Sequence, residues 1–195
     1  NKMKKLLYTM MATLIFISCG NDANETKSLS DEDKMKLVEK LNNNKELIKK
    51  YNEFKTQGVK KSIVFPGNIV ENIIDTALSY IGAPNKYGGI NKDGIDASGL
   101  VYISVTKNSN VEFPRIAQDM ARYGEAISNP NKLKRGDLVF FFDTYEVNRI
   151  ITSVGIYLGD GGFIHSSSSE GVKVSQINDP YYWKDKFFYG TRIFN

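Results

Sequence analysis

One stretch, residues 87–105, constrains the fold of this chain more than any other. It reads Y-G-G-I-N-K-D-G-I-D-A-S-G-L-V-Y-I-S-V. Its glycines indicate a turn-rich loop, Asp96 stands where a helix N-cap is expected, and the mostly apolar residues 97–105 predict a short helix. A side chain at position 97 would face unpaired backbone N–H groups and the positive end of the helix dipole, where a thiol becomes a nucleophile. The residue there is Ala97, which has no reactive group.

Two motifs in this region resemble the nucleophile segment of the NlpC family, the papain-like cysteine endopeptidases that trim bacterial cell walls. Residues 82–89 read G-A-P-N-K-Y-G-G, where the family pattern is roughly G-x-P-Y-x-(W/Y)-G-G. Residues 94–100 read G-I-D-A-S-G-L, where the family has G-x-D-C-S-G-L. The sequence matches both patterns at every specified position except two: Asn85 stands in place of the tyrosine and Ala97 in place of the cysteine.

Further motifs extend the resemblance to the end of the chain. Residues 113–118 read F-P-R-I-A-Q and resemble the family's P-R-x-x-x-Q segment, with two residues instead of three between Arg115 and Gln118. Residues 133–141 read L-K-R-G-D-L-V-F-F and resemble its L-x-x-G-D-L-V-F-F strand, and Tyr182-Trp183 and residues 190–192 resemble its closing motifs. The resemblance therefore covers residues 68–195, about two-thirds of the chain, which we predict to be one NlpC-like papain-fold domain.

The hydrophobic pattern changes period along this predicted domain. Apolar residues at helical spacing from Ile69 to Ile81 predict a helix with one buried face. From position 133 onwards, short apolar runs predict strands, two of them around the hairpin signal G-D-G at 159–161. The expected fold is α+β and papain-like, with N-terminal helices packed on an antiparallel β-sheet.

A papain-like hydrolase needs a thiolate, a base that generates it and a group that orients the base. The family's base opens the strand H-V-G-I-Y, which residues 153–157 match as S-V-G-I-Y, so Ser153 holds the base position. The family's orienting residue in F-I-H is matched by His165, the only histidine of the chain. The family tyrosine that flanks the cleft falls on Asn85, and Ala97 holds the nucleophile position.

Three of these four functional positions, namely 85, 97 and 153, have lost the family's reactive residue. Three unrelated replacements favour a natural loss of catalysis over an engineered one. Ser98 is a poor substitute nucleophile, because one step along a helix rotates a side chain by about 100° away from position 97. By the resemblance, Asp96, Ser98 and Arg115 belong to the substrate pocket. Arg115 would bind a substrate carboxylate, and a surface or structural salt bridge is its alternative role. No metal-ligand cluster is present in the sequence, and no cofactor or metal is expected.

The start of the chain predicts a lipoprotein. Lys4 and Lys5 precede an apolar run that is too short to span a membrane, so residues 1–18 are expected to be a signal peptide. The run ends F-I-S-C-G, which resembles a bacterial lipobox around Cys19, the only cysteine. Lipidation of Cys19 would anchor the protein in the bacterial cell envelope, and we expect the anchor on the periplasmic side of the outer membrane. An ordinary signal peptide is the alternative.

Two segments are expected between the anchor and the domain. Residues 19–29 form a polar, unpatterned tether. Residues 30–67 form a helical N-terminal segment, which packs on the domain or acts as a spacer. The alternatives are that it limits access of substrate or binds a protein partner through residues 30–57. The formal net charge is +4, and the loss of Lys2, Lys4 and Lys5 with the signal peptide takes it to +1. Such a balance argues against nucleic acid as a partner.

The first functional hypothesis is a lipid-anchored protein that binds peptidoglycan stem peptides, or regulates their processing, without hydrolysing them. The family's reaction is hydrolysis of the γ-D-glutamyl–diamino-acid bond in these peptides. The second hypothesis is an active murein endopeptidase whose working form carries cysteine at 97 and histidine at 153. The third is a scaffold that recruits a protein partner through its N-terminal helices.

Overall fold

The structure is a computed structural model that describes residue 49 and residues 63–65, 67–142, 144–145 and 149–194. The predicted signal peptide, Cys19 and the predicted tether lie outside the described residues. Of the predicted helical segment 30–67, only Lys49, which is helical, and residues 63–65 and 67 are described. In this part of the chain, no helix combines the length and the apolar character that a bilayer crossing requires.

Three α-helices precede the main sheet in the described sequence. They are α1 (Val70–Leu78), α2 (Ala97–Thr106) and α3 (Ala117–Met120). Helix α1 buries Ile73, Ile74 and Ala77, as the apolar spacing predicts. The prediction was wrong at its end: Ile81 lies beyond the helix and is 55% exposed. The chain leaves the helix there because the Gly82 N–H donates to the carbonyl of Val172 in the sheet, at 2.9 Å.

The described strands form two antiparallel sheets. A two-stranded hairpin within the glycine-rich loop pairs β1 (Ile90–Asn91) with β2 (Gly94–Ile95). The six-stranded main sheet has the order β3-β8-β4-β5-β6-β7. Its strands are β3 (Glu125–Ile127), β4 (Leu138–Phe142), β5 (Ile151–Gly159), β6 (Gly162–Ser167), β7 (Gly171–Gln176) and β8 (Phe187–Arg192). The predicted α+β architecture is confirmed, while β3 and the small hairpin were not predicted.

Side chains of the main sheet alternate between two hydrophobic clusters. The first lies between the sheet and the helices, and includes Phe140, Val154 and Ile156 of the sheet with Ile74 and Leu100 of the helices. The second lies on the other face and includes Val139, Phe141, Tyr157, Phe163 and Trp183. Strand β4 is buried along its whole length because it supplies both clusters, which explains its uninterrupted apolar sequence L-V-F-F-F.

Asp137 and Arg192 join the start of β4 to the end of β8. The Arg192 guanidinium donates from Nε to Asp137 Oδ1 at 2.9 Å and from Nη2 to Oδ2 at 2.8 Å, a bidentate pair. Asp137 Oδ2 also accepts the Lys134 N–H at 2.6 Å. The hydrogen bond to Asp137 raises the pKa of Arg192. The G-D-L and G-T-R motifs thus meet in one largely buried ion pair that fixes two neighbouring strands.

Candidate functional site

The side chain of Asp96 fastens the glycine-rich loop to the start of α2. Its Oδ1 accepts the Gly99 N–H at 2.6 Å, an N-cap bond, and its Oδ2 accepts the Gly88 N–H at 2.6 Å. Gly99 permits this close approach, since a Cβ at that position would overlap the carbonyl oxygen of Gly89. Ala97 is therefore the first residue of α2, where the sequence places it.

Arg115 completes a hydrogen-bonded group beneath this helix start. Its Nη1 lies 3.0 Å from Asp96 Oδ1 and donates to the Ser98 hydroxyl at 2.8 Å. Its Nη2 donates to Asp96 Oδ2 and to the Gly89 carbonyl, both at 3.1 Å. The Ser98 hydroxyl in turn donates to Asp96 Oδ1 at 3.2 Å. The three residues predicted to contact substrate thus bond to one another, and their guanidinium and carboxylate neutralise each other.

A cavity of about 760 Å³ opens beside the start of α2. It is lined by all four positions that the sequence assigns to the catalytic set: Asn85, Ala97, Ser153 and His165. Asp96, Ser98 and Arg115 also line it. Position 97 comes from a helix, whereas positions 153 and 165 come from the neighbouring strands β5 and β6. Residues that are far apart in sequence therefore share one space, whose volume lies in the range of ligand-binding clefts.

Ser153, which the resemblance assigns to the base position, lies on the wall of this cavity. It lies in β5 opposite Phe141 of β4, and is 7% exposed. Among the described residues, its hydroxyl has no hydrogen-bond partner. Gly155, two residues further on, makes room for the next strand, since a Cβ there would lie 2.7 Å from the Phe163 ring and 3.4 Å from His165 Cβ. The glycine of the V-G-I-Y motif is therefore a packing requirement.

His165 is enclosed by aromatic rings and is 1% exposed. Its imidazole stacks on Phe163, with ring centroids 4.9 Å apart, and makes a T-shaped contact with the Trp183 indole, with ring centroids 4.7 Å apart. Its Nε2 is 2.9 Å from the Ser175 hydroxyl of β7. Its Nδ1 has no hydrogen-bond partner among the described residues. One face of the ring is thus fixed by packing and one nitrogen by a hydrogen bond.

This environment keeps His165 uncharged. Burial lowers the pKa of His165 to about 4, and the charge of Lys173 acts in the same direction. The backbone of Ser166 and the charge of Glu170 oppose this with smaller effects. Near neutral pH, the only imidazole of the chain is therefore a neutral ring.

Asn85 ties the loop before α2 to strand β6. Its Nδ2 donates to the Ser166 hydroxyl at 2.9 Å, and that hydroxyl donates to the Ile95 carbonyl at 2.7 Å. The amide of Asn85, which the resemblance assigns to the family's tyrosine position, thus holds two walls of the cavity together.

Sequence reasoning missed the cavity wall between β4 and β5. This wall includes Thr144, Tyr145 and Arg149, and the motifs matched above do not cover it. Its ends are fixed: the Thr144 hydroxyl donates to Thr152 Oγ1 at 2.7 Å, and Gln118 Oε1 accepts the Ile150 N–H at 3.0 Å. Gln118 belongs to a motif that the sequence analysis matched, but the motif does not indicate that its side chain holds the backbone at Ile150.

A second wall that was not predicted is polar. Residues 166–169 are all serine, and together with Glu170 and Lys173 they line the cavity at the turn from β6 to β7. Lys173 Nζ donates to Glu170 Oε1 at 2.7 Å. The run S-S-S-S-E was visible in the sequence, but nothing in it indicated proximity to position 97.

The donor set of the cavity suits an organic ligand. In the part of the chain that the structure describes, no three His, Cys, Asp or Glu side chains group together as metal ligands would. Hydroxyl and amide groups, aromatic rings and a few charges line the space instead. Such groups orient a peptide by hydrogen bonds and local charge.

Comparison with known proteins decides the family. The model of the NlpC/P60 family matches residues 82–192. The chain belongs to the NlpC/P60 family. The resemblance drawn from the motifs is confirmed, and the matched range contains Ala97, Ser153 and His165. The domain limits at 68 and 195 remain a prediction.

Two similar proteins come from Escherichia coli (strain K12). Probable endopeptidase YafL is 38% identical over 129 residues, which cover 65% of this chain and 51% of YafL. Murein DD-endopeptidase MepS/Murein LD-carboxypeptidase is 33% identical over 126 residues, which cover 65% of this chain and 64% of MepS. The chain thus spans about half to two-thirds of the length of these relatives.

Among solved structures, RipD from Mycobacterium tuberculosis shares the fold. It matches with a TM-score of 0.52 and 23% identity, covering 66% of this chain and 99% of RipD. RipD is described as a non-catalytic NlpC/p60 domain protein with an adaptation to peptidoglycan-binding function. At this identity the likeness is one of fold alone.

Proposed function

We propose that this NlpC/P60 protein binds stem peptides of peptidoglycan in its cavity and does not hydrolyse them. The observation that supports the proposal is that Ala97 and Ser153, which the resemblance assigns to the nucleophile and base positions, line a well-formed cavity without supplying a thiol or an imidazole. A cavity of this size with polar walls remains able to hold a peptide.

The loss of the reactive groups closes the covalent route. Ala97 offers no atom that could attack a carbonyl, and the hydroxyl of Ser153 cannot accept a proton near neutral pH as an imidazole does. His165 retains an imidazole, but it is buried against Phe163 and Trp183 rather than placed next to a nucleophile. Only binding and electrostatic effects remain, and these leave the rate orders of magnitude below that of an intact enzyme.

Ser98 does not replace the missing nucleophile. Its hydroxyl is 3.2 Å from Asp96 and 2.8 Å from the Arg115 guanidinium. It donates to the first group and accepts from the second, so its hydrogen bonds hold the helix start together. A positively charged donor on this oxygen also withdraws the electron density that a nucleophile needs.

Two comparisons support the choice of ligand. MepS is named as a murein endopeptidase, and RipD is described as non-catalytic and adapted to peptidoglycan binding. The same fold is thus found in a protein that binds peptidoglycan without a reaction. We infer that this protein likewise binds peptidoglycan without hydrolysing it. It would do so at the cell envelope, with Cys19 as the lipid anchor and residues 30–57 as a candidate protein-binding segment.

Incubation of the purified protein with defined muropeptides tests the proposal. Isothermal titration should show binding, and mass spectrometry should show intact peptides after prolonged incubation. As a matched control, Ala97→Phe places a ring in the cavity without disturbing the Asp96 and Gly99 contacts, and it should abolish binding while the circular dichroism spectrum is kept. Turnover of the peptides by the unmodified protein, or binding that Ala97→Phe does not affect, would overturn the proposal.

A further inference from the structure

The charged side chains of the cavity are unevenly paired. Six of them line it: Asp96, Arg115, Arg149, Glu170, Lys173 and Asp179. Four of these form two ion pairs, Asp96 with Arg115 at 3.0 Å and Glu170 with Lys173 at 2.7 Å. Within the described residues, Arg149 has neither an ion pair nor a hydrogen bond from its guanidinium. It is therefore a cation at the cavity that no described acid pairs with directly.

The backbone that carries Arg149 is held in place. The next residue, Ile150, is fully buried, and its N–H donates to Gln118 Oε1 at 3.0 Å. The Ile151 N–H approaches the same oxygen at 3.4 Å, and β5 begins at this residue. The backbone of Arg149 is thus continuous with a strand start that hydrogen bonds to Gln118 hold in place. A cation with a fixed base loses less conformational freedom when it binds an anion.

The phenol of Tyr145 lines the same wall of the cavity as Arg149 and is 49% exposed. Burial raises the pKa of Tyr145, the charges of Tyr87 and Asp96 act in the same direction, and the charge of Arg149 opposes them. The phenol is therefore protonated near neutral pH and available as a hydrogen-bond donor. A guanidinium and a hydroxyl donor on one wall suit a planar anion.

We propose that Arg149, with Tyr145 on the same wall of the cavity, is a carboxylate-binding subsite that selects peptides with a free carboxylate. This inference rests on the proposed function, which supplies the peptide. A γ-D-glutamyl residue is linked through its side-chain carboxyl, so its α-carboxylate stays free, and the end of the peptide carries another.

The subsite differs from the group beneath α2. Arg115 is committed to Asp96, Ser98 and Gly89 through the donors of its Nη1 and Nη2 atoms. The donors of Arg149 have no partner among the described residues and are available to a ligand. Arg149 is therefore the residue whose removal should change selectivity without loosening the helix start.

Fluorescence of Trp183, the only tryptophan and a lining residue of the cavity, provides the measurement. The probes are L-alanyl-γ-D-glutamyl-L-lysine, its glutamyl α-amide, its C-terminal amide and the diamide, with N-acetyl-D-glutamate as a minimal probe. Arg149→Gln should weaken binding of the free acid by about 10- to 100-fold. The amide that loses the recognised carboxylate should bind the unmodified protein and the variant equally, which identifies the carboxylate.

Two further variants sharpen the test. Arg149→Lys keeps the charge but not the fork of donors, so its affinity for the free acid should lie between those of the unmodified protein and Arg149→Gln. Lys134→Gln removes one positive charge from an exposed residue outside the cavity wall, and it should leave binding unchanged.

The outcomes separate the two proposals. Equal binding of the free-acid peptide by the unmodified protein and Arg149→Gln would overturn the subsite and leave the proposed function standing. Binding of N-acetyl-D-glutamate that depends on Arg149, without binding of any stem peptide, would support the subsite and overturn the proposed function. Absence of binding by every probe would overturn both.

Discussion

The imidazole of His165 and the indole of Trp183 form a T-shaped pair on the wall of the cavity, with ring centroids 4.7 Å apart. Burial in this aromatic setting lowers the pKa of His165 from 6.5 to about 4. The folded state therefore favours the neutral ring. Its contribution to stability is complete above pH 6.5 and is lost as the pH falls through about 4.

Replacement of His165 by phenylalanine should reduce this pH dependence. The variant keeps an aromatic ring against Phe163 and Trp183 but has no proton to take up. Between about pH 7.5 and about pH 4.5, the free energy of unfolding of the unmodified protein should fall by about 2 to 3 kcal/mol more than that of the variant. Urea unfolding followed by circular dichroism at both pH values measures the difference. Equal losses for the two proteins would contradict a buried neutral His165.

Restoring the reactive pair should create hydrolysis that neither single change gives. Ala97→Cys places a thiol at the start of α2, where backbone N–H groups favour the thiolate, but Ser153 cannot take its proton. Ser153→His alone supplies a base without a nucleophile. The double variant should cleave γ-D-glutamyl–diamino-acid bonds orders of magnitude faster than either single variant, because the two groups act as a unit.

Mass spectrometry of muropeptide digests measures this restoration. Asn85→Tyr on the double variant tests whether the cleft also needs the family tyrosine. Alkylation of the thiol introduced at position 97 is the matched control and should stop the reaction of the double variant. A double variant that binds the peptides, carries a reactive thiol and still leaves them intact would show that a further group is missing.

Asp96 and Arg115 should be coupled in stability. Asp96→Ala removes an N-cap, which costs about 1 to 2 kcal/mol, and leaves Arg115 without its carboxylate. In a double-mutant cycle with Arg115→Ala, the coupling free energy should be about 1 to 3 kcal/mol. Urea unfolding of the four proteins measures it. Asp93→Ala, an exposed acid of the same loop, is the control and should stay within about 0.5 kcal/mol of the unmodified protein. Additive effects at 96 and 115 would contradict the bonded group beneath α2.

Cys19→Ala should release the protein from the membrane. The positively charged start, the apolar run and the lipobox-like F-I-S-C-G predict diacylation of Cys19, and two acyl chains give stable anchoring. Fractionation of cells that express the full chain measures the distribution between membrane and soluble fractions. Unchanged membrane association of the variant would mean that something other than a lipid on Cys19 holds it.

Motifs predicted the framework of the site better than they predicted its walls. The position of Ala97 at the helix start followed from Asp96 and the glycines, because an N-cap and tight turns are local features of sequence. The meeting of Ala97 with Ser153 and His165 came from the family resemblance, since no local pattern encodes contact between distant elements. Arg149 and Tyr145 could not be predicted, because their place depends on hydrogen bonds that Gln118 and Thr152 make across the fold.

Strand β3 and the β1–β2 hairpin were missed for another reason. Each of these strands is only two or three residues long, which is too short to produce a recognisable alternating pattern. They form because neighbouring backbone is available: β3 pairs with β8, and β1 with β2. Ile81 led to an overprediction, because its helical spacing predicted a buried helix position, whereas the helix ends at Leu78.

A Cβ at Gly99 would overlap the Gly89 carbonyl, so the glycine-rich loop and the start of α2 pack closely through their backbones. This packing sets the shape of the site independently of the reactive groups that the site carries. The groups that set the position of residue 97 are backbone atoms and the Asp96 and Arg115 side chains, and the side chain of residue 97 itself takes no part in them. A cysteine or an alanine can therefore occupy position 97 with the same backbone and the same supporting hydrogen bonds. An enzyme and a receptor for its substrate can differ in this architecture by a thiol and an imidazole, and one can arise from the other while the chain continues to fold.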